Sequence, residues 1–167
     1  MEHILMQLVN LVGSSLPEMK TVDEDYGQLE MIDETSRESY PLTFPAVLID
    51  APETAWSNIR GKDQLGTCTV RVRLIIDCYD DTHYRSGTVD KIKERDDLRK
   101  RLHVLLQGRR ITEEGELIRT ASRFYTGNHG IKVYESTYTV SVSEYISLDE
   151  QKVQQPVRIR ITPSISK

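Results

Sequence analysis

Four histidines, two cysteines and one acidic cluster are the side chains of this 167-residue sequence best suited to catalysis or metal binding. His3, His83, His103 and His129 are scattered, and no pair has the spacing of a metal site or a catalytic dyad. Asp77, Asp80, Asp81 and His83 fall together, with Glu94 further along, and in principle could hold a divalent cation. A hard cation needs several oxygens converging on one point, and a run of acids after a strand reads more simply as a charged turn. Cys68 and Cys78 sit on one expected strand, roughly 33 Å apart at about 3.3 Å per residue, beyond the ~7 Å that a disulfide spans. Both read as buried structural thiols. Neither of the glycine-rich phosphate-binding patterns occurs. The residues therefore name no catalytic group, no metal ligands and no cofactor site, and the expectation is a protein that is not an enzyme.

The arginines form a more suggestive pattern. Arg71 and Arg73 share one face of a strand, Arg119 and Arg123 share a second, and Arg158 and Arg160 a third. Such a striped face could contact phosphates or an acidic partner. The alternative is a solvated sheet face of cross-strand arginine–carboxylate pairs. A net charge of −4 and an isoelectric point near 5.6 lack the basic balance of a nucleic-acid binder, so direct nucleic-acid contact ranks below protein contact. Trp56, the single tryptophan, reads either as a plug over the end of the core or as an interface anchor. The candidate interaction residues are thus Trp56, Arg71, Arg73, Arg119 and Arg123.

A strand-then-helix unit from Gly66 to Gly108 must position these groups. Residues 66–79 alternate with a period of two. Cys68, Val70, Val72, Leu74, Ile76 and Cys78 lie on the core face, while Arg71, Arg73 and Ile75 lie on the other. Val89, Ile92, Leu98, Leu102, Leu105 and Leu106 then repeat at helical spacing, with Thr88 or Ser86 as a cap and Gly108 as a stop. Ile4, Leu5, Leu8, Leu11 and Val12 mark a short N-terminal helix stopped near Gly13. Residues 16–43 show no periodicity, and eight carboxylates oppose only Lys20 and Arg37 between Glu18 and Glu38. That stretch is either a solvated loop or an acidic arm that orders on a basic surface of a partner or sister subunit. Residues 44–50 read as a strand and 51–65 as a polar connection, the long tip of a hairpin. Residues 116–125 and 131–144 read as two strands joined by a turn with Gly127, Asn128 and Gly130. A linker over 147–156 leads to the alternating segment 157–161, an edge strand or tail.

The resulting expectation is an α+β fold. One domain over 1–146 has an antiparallel sheet with a long hairpin, packed on one face by the main helix, with a short N-terminal helix and a separate 147–167 tail. No apolar run reaches the roughly 20 residues of a membrane span, and the N-terminus lacks a secretory pattern, so a soluble cytoplasmic product is expected.

In element order and residue texture the chain resembles the tail terminator (tail-completion, minor tail) proteins of long-tailed bacteriophages and prophages. The resemblance rests on Phe44–Ile49, Trp56, the Val70–Ile76 strand, the helix through Leu98–Leu102, Leu117–Arg119 and Tyr134–Val140, and it covers roughly 1–144. It implies a structural virion-assembly protein without catalytic residues. Such a protein would close into a homo-oligomeric ring, usually a hexamer, that caps the tail tube and offers a docking surface to the head–tail connector. The partners implied are further copies of the chain, a tail tube protein and a connector protein, in the cytoplasm of the bacterial host and then in the virion tail. The long 16–43 stretch and the 147–167 tail depart from the shortest members. An adaptor acting as a monomer or dimer, or a sheet-face nucleic-acid binder, are the competing classes.

Overall fold

The computed structural model describes residues 2–33, 42–80 and 82–145. The expected 147–167 linker and tail, with Arg158 and Arg160, lie outside the described residues, as does Asp81. The order of elements is α1 (Glu2–Ser15), β1 (Thr21–Glu24), β2 (Ala46–Arg60), β3 (Asp63–Ile76), α2 (Asp90–Leu106), β4 (Ile118–Thr126) and β5 (Lys132–Glu144). The fold is α+β. Among the described residues the strands form one sheet in the order β1-β2-β3-β5-β4. All neighbours are antiparallel except β1, which runs parallel to β2 and pairs Thr21–Glu24 with Ala46–Ile49. The sheet is therefore mixed, and part of the 16–43 stretch expected as a loop is its edge strand.

Both helices pack on the same face. Ile4, Leu8 and Val12, one helical turn apart, are fully buried by α1. Leu98, Leu102 and Leu106 do the same for α2 and meet Val47, Ile49, Cys68, Val70, Val72 and Leu74 of the sheet. This is the strand-on-helix core that the period-two pattern of β3 requires. Two details differ from expectation at the start of α2. Val89 occupies the cap position without a side-chain cap, while the Thr88 hydroxyl donates to Ser86 at 3.0 Å. Val89 and Ile92 are about half exposed, so the apolar stripe of α2 buries only its second half. The end of the helix follows the sequence, with Gly108 at φ 71° and its N–H donated to the Leu117 carbonyl.

The expected connection at 51–65 is mostly strand. β2 continues to Arg60 and turns through Gly61 (φ 61°) and Lys62 into Asp63, where a two-residue hairpin connection needs a positive φ. The alternation is broken by an irregularity between Asp50 and Glu53, which spans Pro52 and moves the core-facing positions from odd to even numbers. Pro is tolerated in a sheet at such a bulge. This parity change is why the strand does not show in the pattern.

The second face is also partly buried. Ala46, Leu48, Ile75, Ile131 and Val133 form a smaller cluster, covered by Leu29, Ile32, Leu42, Phe44 and Tyr125. The acidic stretch supplies much of that cover. Gln28, fully buried, fixes its turn by accepting the Tyr26 N–H at 2.9 Å and donating to the Glu24 carbonyl at 2.6 Å.

Candidate interaction surface

The open sheet face, opposite the helices, carries Arg71 and Arg73 on β3 and Arg123 on β4. β3 holds Arg71 opposite Asp50 of β2, and their side chains meet at 2.8 Å. Arg73 lies deeper, only 5% exposed, and reaches Asp25 and Glu30 at 2.5 Å each. Arg123 of β4 faces Glu135 of β5 in register and makes two parallel hydrogen bonds to it at 2.8 and 2.9 Å. That fork geometry suits a planar guanidinium on a carboxylate. Arg123 also lies 5.0 Å from the Tyr125 ring centroid.

Electrostatics follow from this pairing. The hydrogen bond from Arg73 holds the Glu30 carboxyl below the usual carboxylate range, against the opposing effect of burial. Burial works against charge on Arg73, but its bonds to Glu30 and Asp25 outweigh it and raise the guanidinium above its ordinary range. A cleft of about 380 Å³ opens here, and Asp25, Glu30, Arg71, Arg73, Arg123 and Glu135 all reach it. With three cationic and three anionic side chains on its walls, it offers no net field to draw in a phosphate or a cation. Of the two readings of the arginine stripe, the cross-strand pairs are what the fold contains. Asp50 and Glu135 are their strand partners, while Asp25 and Glu30 come from the acidic stretch. Asp25 and Glu30 of that stretch are thus held by a basic group of their own sheet.

Arg119 does not join the others. A register shift between Arg119 and Ala121 places Arg119 opposite Tyr138, on the helix side, while Arg123 stays opposite Glu135 on the open face. Expected to share a face, the two sit on opposite ones. Near Arg119, His103 Nδ1 and the Tyr138 hydroxyl are hydrogen-bonded at 3.0 Å. Burial, then Arg119 and Arg99, push the His103 pKa below 6.5. His103 is the half-buried packing residue that its position on α2 suggests.

Trp56 lies on strand β2 and not in a loop. It pairs with Gly66 across the β2–β3 ladder and is 37% exposed. A Cβ at Gly66 would come within 2.7 Å of the indole, so the ring occupies the space that the glycine leaves. Residues 55–62 around it are all exposed, Ile59 at 53%. The two cysteines are unpaired, Cys68 buried and Cys78 half-buried just past the end of β3. Among the described residues no group of His, Cys, Asp and Glu is arranged to hold a metal, and no helix is long and apolar enough to cross a membrane. Of the residues that build this face, sequence reasoning missed Asp25, Glu30 and Gln28, whose place in the acidic stretch carried no periodic signal. No protein-family model matches the chain, and no curated protein matches it.

Proposed function

We propose that the chain is a structural subunit that closes with further copies into a ring, capping a phage or prophage tail tube and presenting the surface to which the head–tail connector docks. The observation that carries this reading is the contrast between a satisfied face and a bare edge. The arginines of the open face each have a carboxylate of the same chain, which leaves little for a polyanion to bind. The edge of β2 is different: β1 pairs with Ala46–Ile49 only, and the remainder of the strand to Arg60 has no outer neighbour among the described strands. Bare edges and exposed apolar groups such as Ile59 and Trp56 suit contacts between protein subunits. Closed head-to-tail contacts generate rings. The element order that resembles tail terminators supplies the identity of the partners.

Light scattering after size exclusion, with negative-stain imaging of the heavy fraction, tests the reading. The expected species is an annulus with a central hole and six times the 19.2 kDa mass of the chain, either alone or on added tail tubes. A 19.2 kDa monomer at every concentration, with no binding to tubes, overturns it.

A further inference from the structure

The outer side of β2 is covered only at its start. β1 pairs with Ala46–Ile49, and a last backbone bond runs from the Asp25 N–H to the Ile49 carbonyl at 2.8 Å. The chain then turns away through Gln28, and Glu53–Arg60 has no outer neighbour among the described strands. No proline interrupts the outward row of N–H and carbonyl groups over these residues. Past the bulge, Thr54 and Trp56 lie opposite Cys68 and Gly66 on the helix side, where the indole is still 37% exposed. The outer edge of β4 is less suited to a partner strand. Its exposed aromatic, Phe124, is already stacked on Tyr134 at 4.6 Å between centroids and approached by Lys132.

The sequence holds one segment patterned for such an edge. Val157, Ile159 and Ile161 alternate with Arg158 and Arg160, and Pro156 and Pro163 bound the run. Its length is that of an ordinary strand, about 5–6 residues. β5 ends at Glu144 opposite Gln64, which lies opposite Asn58 of β2, so the chain leaves the sheet level with the bare stretch. Residues 146–156 join that exit to Val157 and reach up to about 36 Å at about 3.3 Å per residue. The β2 edge of the same chain is three strand spacings away, about 14 Å, so the connection has length to spare for a neighbour. We infer that residues 157–161 of one copy add as a strand to Glu53–Arg60 of the next, with Val157, Ile159 and Ile161 covering Thr54 and Trp56. Donor segment and acceptor edge are unlike surfaces, so the contact is heterologous and repeats until it closes. This inference rests on the ring reading and specifies its subunit contact, because a tail folded onto its own edge would close that edge to a neighbour.

The test uses full-length chains. Ile159→Pro removes an N–H from the middle of the added strand and touches none of the described fold. Circular dichroism should therefore report folded protein, while sedimentation velocity should show that at least roughly tenfold more protein is needed to assemble. Emission of the only tryptophan should move to the blue when the wild type assembles and stay unmoved in Ile159→Pro. Cross-linking identifies the donor. Ser57 is exposed on the acceptor edge, so a Ser57→Cys chain is mixed with an Arg158→Cys chain and treated with a short bismaleimide, with the wild type and each variant alone as controls for Cys68 and Cys78. A product of twice the chain mass, joined through positions 57 and 158 and found only in the mixture, is expected. A chain carrying both substitutions that links only within itself, or no link at all, overturns the exchange while a wild-type ring still stands. Ile159→Pro that assembles as the wild type does also overturns it. A wild type that never assembles, with or without tubes, overturns the exchange and the ring together.

Discussion

Replacing Arg73 by Met separates a buried ion cluster from its surface neighbours. Arg73 is 5% exposed and the Asp25 side chain 3%, so the substitution leaves Asp25 charged with little water to solvate it. Breaking one partner of such a buried pair costs about 3–5 kcal/mol. That is a large fraction of the roughly 5–15 kcal/mol that holds a domain folded. Arg71→Met is the control, because the Arg71 and Asp50 side chains are 39% and 23% exposed and a solvated pair contributes about 0–1 kcal/mol. Urea unfolding followed by circular dichroism should separate the two variants by at least about 2 kcal/mol. Adding Asp25→Asn to Arg73→Met removes the stranded charge and keeps the oxygen that accepts the Gly27 N–H, so much of the loss should return. Acidification gives a second readout. Arg73 holds Glu30 below the ordinary value of 4.5, so the unfolded chain binds the proton first as pH falls. The stability from that pair is complete above about pH 4.5 and declines as pH falls through the lower folded value, and Arg73→Met should flatten this slope. Equal unfolding midpoints for the Arg73 and Arg71 variants would refute the reasoning.

Two further perturbations follow from close contacts. A methyl group at Gly66 would lie 2.7 Å from the Trp56 ring and 2.9 Å from the Thr54 methyl, so Gly66→Ala should cost about 1–3 kcal/mol and shift the emission of the only tryptophan to the red; unchanged emission counts against the packing. Tyr138→Phe removes the hydroxyl from His103 and should cost about 1 kcal/mol in thermal or urea unfolding. The neutral form of His103 is favoured in the fold, so the unfolded chain protonates first and stability should decline as pH falls below 6.5 toward the folded midpoint. An NMR titration should place that midpoint below 6.5, with Arg119→Gln moving it upward; a midpoint at 6.5 in the wild type refutes the assignment of burial as its cause.

The elements with one uninterrupted period were legible. Alternation along β3 assigns Cys68, Val70, Val72 and Leu74 to the core, and helical spacing does the same for Leu98, Leu102 and Leu106. β1 was not legible, because its four residues are held as a strand by β2 and by Arg73 beneath the following turn, both distant in sequence. Ile75 misled in another way. It belongs by parity to the polar face of β3, yet it is fully buried because the acidic stretch folds over that face and brings Leu29 and Ile32 with it. Gln28, polar and fully buried, ties the turn of this cover through the Tyr26 N–H and the Glu24 carbonyl, and nothing in the composition of its neighbours distinguishes it.

The interaction residues failed to assemble in the expected way for one physical reason, repeated twice. A bulge shifts strand parity by one, and every residue after it changes face. At Asp50/Glu53 the shift hides half of β2 and carries Trp56 onto the helix side over Gly66. At Arg119/Ala121 it separates Arg119 from Arg123. Both irregularities lie on strands at the margins of the sheet, β2 beyond the reach of β1 and the outer strand β4, where bulges blunt edges that would otherwise pair without control. An edge interrupted in this way is a poor template for indefinite strand addition.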